Sequence, residues 1–343
     1  MVDRGVVLSA PGEVALEEIT VDPPEAGEVL VRIEATGVCH SDLHIIEEDG
    51  WGHRFPVLLG HEGAGMVEAV GDGVTGLAEG DRVVLGWHTA CGACAACQRG
   101  LPRHCRRPPT AAARLHRADG SDLSPVLRTG TFATRTVVPE VAAVKIPDAL
   151  PAEQACLLGC AVATGVMSVL ETARVWAGAR VAVIGCGAVG LSVIQGARIA
   201  GASEIRAIDL DERKRTQAIH FGATHTEAGP VDFVFDVVGR AQTFEQGFGM
   251  LASSGTLVLI GLSPAGETAT LGLPELFRKR ARILVSHGGD YLPREDFPRL
   301  ADWAIDGSLD LASMVTRTAR LDEWSEAFDL MQDGSVIRTV LTP

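Results

Sequence analysis

Side chains that could bind a metal ion are concentrated in the first half of the sequence. The segment GVCHSDLH, residues 37–44, combines a thiol, two imidazoles, a hydroxyl and a carboxylate. His61 lies in GHEGAG and Cys160 in LLGCAVATG. Taken singly, Cys160 could be a packed core thiol and His61 a structural histidine. A catalytic zinc takes three protein ligands and keeps one position open. We therefore predict a catalytic zinc held by Cys39, His61 and Cys160.

The neighbours of these ligands could support proton transfer. Ser41 follows Cys39 by two positions in what we expect to be a loop, so its hydroxyl could contact a bound substrate oxygen, and His44 could relay the proton toward solvent. Asp42 could accept the second imidazole N–H of His61, as carboxylates commonly do at zinc-bound histidines. Glu62 could approach the metal transiently or tune the site. The segment would then hold a ligand, its support and a proton path.

Four further cysteines form a compact cluster in CGACAACQRGLPRHC, residues 91–105. Thiolates spaced as Cys-x-x-Cys can turn back on one ion, and four of them close a tetrahedral site with no position left for substrate. Free thiols would not explain the regular spacing, and a ferredoxin-type iron–sulfur site would place Pro where Arg106 stands. The pattern predicts a structural zinc, held by Cys91, Cys94, Cys97 and Cys105.

A glycine-rich turn follows an apolar strand in the second half of the chain, where GCGAVG comes after RVAVI and opens a helix. Gly185 permits the tight turn, Gly187 lets the backbone approach a pyrophosphate, and Gly190 lets helix and strand pack closely. Asp209 ends the next strand and can hold both ribose hydroxyls of an adenosine while repelling a 2′-phosphate. Alone, Asp209 could simply end a strand, and glycine is common here, with 39 in the chain. Together they predict NAD(H) binding.

The elements that must position these residues divide the chain into two domains. Short apolar runs with Gly and Pro up to residue 150 predict strands joined by turns. From Ala161, strand-like and helix-like segments alternate, AQTFEQGFGMLASSG among the latter, which predicts a parallel sheet covered by helices. Two amphipathic helices and a final strand, IRTVLTP, are expected to rejoin the first domain. We expect one domain of residues 1–161 with 288–343 and another of residues 162–287, and a polar loop over RRPPTAAARLHRADGSDLSP.

Composition argues against nucleic-acid and membrane partners. The chain has 44 acidic and 30 basic residues, a net charge of −14, which repels nucleic acid. No stretch approaches the ~18 consecutive apolar residues of a membrane span. The N-terminus lacks the pattern of a secretion signal, so the eight cysteines are expected to be thiols in a reducing compartment. We therefore expect a cytoplasmic protein.

Together these motifs resemble those of the zinc-dependent medium-chain alcohol dehydrogenases over nearly the whole chain. GVCHSDLH and GHEGAG are similar to the first two zinc-ligand motifs of that family, LLGCAVATG to the third, the four cysteines to its structural lobe, and GCGAVG with Asp209 to its coenzyme fold. The resemblance implies an α/β protein with a β-rich GroES-like catalytic domain and a doubly wound Rossmann domain. It also implies two zinc ions per subunit, NAD(H), a small alcohol or aldehyde substrate, and a homodimer.

The resemblance assigns roles to further residues. It implies that His40 and Arg338 contact the coenzyme pyrophosphate and that Thr164 contacts the nicotinamide. Lys214 would join Asp209 near the adenosine ribose. The substrate pocket would be lined by Trp87 and Trp51.

The subgroup of S-(hydroxymethyl)mycothiol dehydrogenases is the most similar, through ADGSDLSP, AVIGCGAVG, FGATHT and LPREDFP. The chain departs from it in two places. Only EAGP separates Thr226 from Val231, where relatives carry a longer insert, and the bulky segment IIEEDGWGHRF could reshape the pocket.

The implied reaction is hydride transfer between an alcohol, or a hemithioacetal-type adduct, and NAD. Alternatives are oxidation of the mycothiol adduct alone, and NADH-dependent carbonyl reduction in a biosynthetic pathway. A zinc-free quinone or enoyl reductase would not need the metal ligands, and a non-catalytic zinc or nucleotide-binding protein would not need the proton path.

Overall fold

The computed structural model describes residues 2–47 and 49–343, and for residues 49 and 50 the backbone alone. Glu48, within the bulky segment of residues 45–55, therefore lies outside the described residues. The chain forms two compact units, Met1–Cys160 with Leu292–Pro343, and Ala161–Tyr291. The expected end of the first stretch of the first domain differs from this division by one residue. The expected return to that domain differs by four residues.

The elements follow the chain in an order that places most strands in the first unit. The strands are β1 Asp3–Ala10, β2 Glu13–Val21, β3 Glu28–Gly37, β4 Val57–Leu58, β5 Glu62–Val70, β6 Arg82–Leu85, β7 Leu115–Arg117, β8 Ser124–Pro125, β9 Arg135–Pro139, β10 Ala143–Lys145, β11 Arg180–Ile184, β12 Glu204–Ile208, β13 Val231–Asp236, β14 Leu251–Leu259, β15 Arg282–Val285, β16 Val315–Arg320 and β17 Arg338–Thr342. The helices are α1 His40–Glu47, α2 Ala95–Gln98, α3 Ala152–Ala155, α4 Ala161–Met167, α5 Ala188–Ile199, α6 Glu212–His220, α7 Ala241–Met250, α8 Leu273–Lys279, α9 Pro293–Ile305 and α10 Trp324–Gln332.

The first unit is built on two sheets. One has the strand order β7-β2-β1-β4-β8, and the other has the order β10-β6-β5-β3-β17-β16 with β9 also paired to β3. Strand β3 pairs antiparallel with β5, β9 and β17, so the returning C-terminal chain completes the second sheet. Apolar residues of α10, such as the buried Phe328, pack in one core with Val6 and Phe132 of the N-terminal part. The C-terminal segment is thus part of this core.

The second unit is a parallel sheet of order β12-β11-β13-β14-β15. Strands β11 and β13 are buried almost throughout, and their sequences RVAVI and VDFVFD read as nearly continuous apolar runs, as strands covered on both faces do. The chain leaves β11 toward β12 on one side and returns to β13 on the other. Such a reversal beside β11 marks the point where α/β sheets bind ligands at the carboxyl ends of their strands. The predicted doubly wound parallel sheet is confirmed.

Three local predictions were wrong. The segment after Cys39 is the helix α1 rather than a loop, because its buried Ile45 packs in the core of the first unit. The segment LASSG belongs to β14, whose Leu251 pairs with Val231. Part of the expected polar loop is β7, since Leu115 is buried and extends the first sheet beside β2. For α1 and β7, burial in the tertiary structure prevailed over the polar local composition.

None of the described helices is by itself long and apolar enough to cross a membrane. The consecutive segments Ala152–Gly159 and Ala161–Ala173 reach that length and hydropathy only when taken together, and most of their residues are buried in the fold.

Candidate metal centres and coenzyme turn

Cys39 and His61 come together because β3 and β5 are antiparallel neighbours. Gly37, at the end of β3, pairs with Glu62, at the start of β5, so the residues just beyond each strand lie side by side. A Cβ atom at Gly37 would lie 2.1 Å from Oε2 of Glu62. Glycine at position 37 therefore leaves room for the Glu62 carboxylate, and the β3–β5 register delivers one sulfur and one imidazole to the same place.

Cys160 reaches the same place from the end of the first unit. It follows the 3-10 turn Cys156–Gly159, which packs directly on the start of β5. A Cβ atom at Gly159 would lie 2.8 Å from the Leu85 carbonyl oxygen and 3.3 Å from Cα of Glu62. The ligand atoms of Cys39, His61, Glu62 and Cys160 all lie within 4.8 Å of one another, and all four residues are buried.

Asp42 holds the His61 ring in place. Its Oδ1 accepts hydrogen bonds from the Gly60 amide at 3.0 Å and from His61 Nδ1 at 3.1 Å. Because a carboxylate only accepts, Nδ1 carries the proton and Nε2 presents its lone pair. Among the described residues Nε2 has no hydrogen-bond partner, although it is fully buried. A buried imidazole nitrogen without a partner is what a metal ion in this cluster would satisfy.

The charges in this cluster are strongly coupled. A hydrogen bond with Cys160 lowers the pKa of the Cys39 thiol well below its usual range, with His61 and Arg338 acting in the same direction against burial. The same bond, together with burial, raises the pKa of Cys160 well above its usual range. Cys39 thus favours the thiolate and Cys160 the thiol. A divalent cation would let both be thiolates, which fits zinc.

Glu62 and Arg338 form a buried ion pair beside the cluster. Arg338 Nη2 lies 3.1 Å from Glu62 Oε1, and Nη1 donates to the Val38 carbonyl oxygen. Burial raises the pKa of Glu62 to about 8, although the Arg338 charge opposes this. Arg338 is only 4% exposed. Sequence reasoning selected both residues but missed their pairing, because they are far apart in the chain and only the β3–β17 contact joins them.

The predicted proton-transfer residues lie on helix α1. Ser41 Oγ accepts a weak hydrogen bond from Cys39 Sγ at 3.8 Å, and His44 stands one turn later on the same helix. The His44 ring is stacked on Trp51, with ring centroids 5.8 Å apart and planes inclined by 17°. Trp51 is 36% exposed and has a positive φ of 48°. His40 is exposed on the first turn of the helix.

The four-cysteine lobe, residues 91–105, gathers its sulfurs around the short helix α2. The four Sγ atoms lie within 4.8 Å of one another, with Cys94 Sγ 3.6 Å from Cys97 Sγ and 3.9 Å from Cys105 Sγ. Backbone amides point at the sulfurs, for example from Cys94 N to Cys91 Sγ at 3.2 Å and from Cys91 N to Cys105 Sγ at 3.3 Å. Amide hydrogen bonds from Cys97 and Arg106 lower the pKa of Cys94 to about 6. Four sulfurs with amide donors fit a closed zinc site.

The glycine turn of the second unit has the geometry that its spacing predicts. Gly185 has φ of 97°, in the left-handed region, and a Cβ atom at Gly190 would lie 1.8 Å from the Gly185 carbonyl oxygen. Apart from Gly187 and its chain neighbours, no atom of the described residues lies within 4 Å of where a Gly187 Cβ would be. The turn therefore leaves space at the N-terminus of α5, where a pyrophosphate can meet backbone amides.

Asp209 is tied to this turn. Its Oδ2 accepts from the Cys186 amide at 2.7 Å and its Oδ1 from the Asp211 amide at 2.9 Å. Lys214 is half-buried on α6, five residues after Asp209 in the chain. Thr164 lies on α4, and its carbonyl oxygen accepts from Ser168 Oγ at 2.6 Å. The coenzyme residues predicted in the second unit thus fall on α4, the glycine turn, the end of β12 and α6, while His40 and Arg338 belong to the first unit.

Trp87 lies just after β6 and is 8% exposed, with its ring edge-to-face against His88. Its backbone oxygen accepts from Arg128 Nη2 at 2.9 Å. Sequence reasoning singled out neither His88 nor Arg128. No local sequence pattern marks either residue. Arg128 follows β8 in the chain and Trp87 follows β6, so their contact arises only when the chain folds.

Comparison with known proteins supports the assignment of both units. The family described as "Alcohol dehydrogenase GroES-like domain" matches residues 25–148, and the family described as "Zinc-binding dehydrogenase" matches residues 188–306. The chain is 38% identical, over 99% of its length and 100% of the relative, to S-(hydroxymethyl)glutathione dehydrogenase of Photobacterium damsela subsp. piscicida.

Solved structures agree over the whole chain. A zinc-binding-domain alcohol dehydrogenase from Burkholderia ambifaria superposes with a TM-score of 0.94 at 31% identity, covering 100% of this chain and 99% of the other. Benzyl alcohol dehydrogenase from Acinetobacter calcoaceticus superposes with a TM-score of 0.90 at 28% identity, with the same coverage. The predicted GroES-like and Rossmann architecture is confirmed. The chain belongs to the zinc-dependent medium-chain alcohol dehydrogenases and is an oxidoreductase of that family.

Proposed function

We propose that this enzyme transfers hydride between NAD and the carbon of an alcohol or of a hemithioacetal-type adduct, with a catalytic zinc on Cys39, His61 and Cys160. The observation that carries the proposal is the convergence of the two sulfurs of Cys39 and Cys160 and an imidazole nitrogen of His61 within 4.8 Å of one another in a buried cluster. In this proposal the GroES-like domain, residues 1–161 and 288–343, does the catalysis and residues 162–287 bind NAD.

When bound by these residues, zinc supplies a Lewis acid that lowers the pKa of a substrate hydroxyl. The protein's part is to orient the ligands and move the proton. Asp42 fixes the ring and tautomer of His61, which keeps Nε2 directed at the cluster. Ser41 takes the proton of the hydroxyl, and His44, one helical turn later, passes it toward solvent.

The coenzyme would be held through groups that match its charge. Backbone amides at Gly187 and the start of α5 receive the pyrophosphate, with His40 and Arg338 adding donors. Asp209 accepts from the ribose hydroxyls, with Lys214 beside it. Thr164 contacts the nicotinamide. NAD supplies the hydride acceptor, so these residues serve to orient it.

The substrate is proposed to be a hydroxymethyl thiol adduct or a free alcohol, with Trp51 and Trp87 lining its pocket. The relative from Photobacterium is named for the glutathione adduct, which favours a thiol-linked substrate. The sequence resemblance favours the mycothiol adduct. Carbonyl reduction with NADH is the same reaction in the opposite direction.

A substrate panel tests the proposal directly. Purified enzyme and NAD would be mixed with aliphatic alcohols, aromatic alcohols, and formaldehyde with either mycothiol or glutathione, and NADH formation followed by absorbance. Turnover with one thiol adduct alone assigns that adduct, and turnover with free alcohols makes the enzyme a general alcohol dehydrogenase. Absence of NADH formation with every substrate, in protein containing zinc, would refute the proposed reaction.

Removal of ligands from the two clusters should have different effects. Residues that hydrogen-bond to metal ligands typically contribute about 10- to 100-fold to activity. Cys39→Ala or His61→Ala removes a ligand itself, so each should lower turnover by more than about 100-fold. Zinc content, measured by mass spectrometry, should fall by one ion per chain in both variants, while the melting temperature of Cys39→Ala stays close to that of the parent.

Cys94→Ala is the matched comparison in the lobe. It should also remove one zinc ion per chain, but it should mainly lower the melting temperature, since a structural zinc contributes directly to folding. Equal activity and equal zinc content in all of these variants would contradict the two-zinc assignment.

Asp209 should determine the preference for NAD over NADP. Asp209→Asn removes the charge that repels a 2′-phosphate and weakens the ribose contact, and hydrogen bonds to charged groups contribute about 1.5–3 kcal/mol. We therefore expect the ratio of kcat/KM for NAD to kcat/KM for NADP to fall by roughly 10- to 100-fold. Asp211→Asn, which alters a neighbouring carboxylate engaged by Arg213, is the control. The same ratio in both variants would remove Asp209 from this role.

A homodimer is proposed through the edge of the second unit's sheet. Strand β15 is the last in the order of that sheet, and Val285 on it is 67% exposed. On α8, Leu273 and Phe277 are 74% and 84% exposed. An exposed strand edge beside apolar side chains favours pairing with a second copy.

Light scattering should then give twice the chain mass of 36.1 kDa. Val285→Lys should give the monomer mass, whereas Ile305→Lys, at an exposed apolar residue of the first unit, should not. A monomer in the parent protein would contradict this edge as an interface. The cytoplasmic location and the lack of nucleic-acid and membrane partners remain predictions.

A further inference from the structure

Arg103 joins the four-cysteine lobe to helix α9. Its Nη1 donates to Asp296 Oδ2 at 2.6 Å and its Nη2 to Glu295 Oε2 at 3.1 Å. The Asp296 side chain is 3% exposed, and its Oδ2 also accepts from the Leu292 amide at 2.7 Å. A buried carboxylate needs such partners, because without them its charge is left uncompensated. The guanidinium is therefore held firmly against the start of α9.

The backbone of Arg103 is held from the other side by His88. The Arg103 carbonyl oxygen lies 2.8 Å from His88 Nε2. Since a carbonyl oxygen only accepts, Nε2 carries the proton. His88 is 3% exposed, and its ring meets the Trp87 ring edge-to-face, with centroids 5.6 Å apart and planes at 79°. A displacement of the Arg103 carbonyl would therefore shift the His88 ring, which packs on the Trp87 ring.

The start of α9 also packs against the chain just before Trp87. A Cβ atom at Gly86 would lie 2.6 Å from Pro293 Cγ and 3.1 Å from Phe297 Cε2. These contacts form a closed series. Arg103 joins the lobe to α9, α9 packs on Gly86, and the adjacent Trp87 and His88 lead back to Arg103. Such a series of contacts is rigid only while each member is held in place.

We propose that Arg103 is a positioning residue that couples metal binding in the lobe to the placement of the Trp87 ring. Arg103 lies in the turn Pro102–His104, and the metal-ligand residue Cys105 follows this turn directly. When Cys105 binds a metal, this turn is fixed, and the carbonyl and guanidinium of Arg103 are fixed with it. Loss of the metal frees the turn, and His88 loses its acceptor. The inference rests on the proposed function only in placing Trp87 at the substrate pocket.

The test compares Arg103→Met with Arg99→Met in the zinc-loaded protein. Arg99 belongs to the same lobe but is exposed and donates only within its own helix, from Nε to the Ala95 carbonyl oxygen at 3.1 Å. Zinc release would be followed as its capture by an excess of a chromogenic chelator, whose absorbance changes when it binds zinc. A Cys94→Ser variant, which lacks the lobe zinc, identifies the phase that belongs to the lobe.

A second readout reports on Trp87 itself. Its emission is obtained as the difference between each protein and its Trp87→Phe counterpart. We expect Arg103→Met to release lobe zinc about tenfold faster or more, as the loss of a charge-assisted hydrogen bond implies. The Trp87 emission should shift to longer wavelength, and KM for the substrate should rise while kcat stays within about twofold. Arg99→Met should match the parent in all three.

Faster zinc release with an unchanged Trp87 emission would overturn the coupling, and so would an unchanged release rate. If Arg103→Met does not fold, Arg103→Met with Asp296→Asn removes both charges and is judged by the same criteria. Arg103→Lys, which keeps the charge but not the two-pronged contact, should give intermediate values. If the parent turns over no substrate, the proposed function fails, but zinc release and Trp87 emission still decide this inference.

Discussion

The antiparallel pairing of β3 with β5 is the constraint on which the catalytic cluster depends. It sets Gly37 opposite Glu62, and the Glu62 carboxylate occupies the space that a Cβ atom at Gly37 would need. Register in a sheet is a discrete choice, because a shift by one residue turns every side chain to the opposite face. Cys39 and His61, each just beyond its strand, therefore meet only in this one register. The turn that ends at Cys160 then packs on the same strand end.

Burial of so many ionisable groups explains why the cluster suits a divalent cation. Asp42, His61 and Glu62 are fully buried, and Arg338 nearly so. Charges removed from water must compensate one another, since each alone would carry a large desolvation penalty. Asp42 accepts a hydrogen bond from His61, and Arg338 pairs with Glu62. A divalent cation bound by the two sulfurs would supply the positive charge that two buried thiolates need.

The thiolates of the four-cysteine lobe are stabilised in a different way from those of the buried cluster. Three of its four cysteines are only half-buried, and backbone amides of the chain that turns around them donate to the sulfurs. What ties it to the enzyme is the contact of Arg103 with α9 and with His88. In the proposed coupling, the metal that closes the lobe influences the Trp87 ring without touching it.

How much could be predicted from sequence depends on how local each feature is. The four cysteines and the glycine turn lie within short segments whose spacing alone determines what they can bind. The parallel sheet was also predictable, because its strands are long apolar runs. Helix α1 was not, since its polar residues conceal Ile45, whose burial becomes evident only in the core of the folded unit.

The sequence by itself determined which ligand types are present, the turn that can receive a pyrophosphate, and the alternation of strands and helices, because these are properties of neighbouring residues. Only the tertiary structure decided that Arg338 pairs with Glu62 and that Arg103 joins the lobe to α9. Arg103 and Asp296 are 193 residues apart. Such contacts depend on how the C-terminal chain returns to the first sheet, and no local pattern of residues encodes that return.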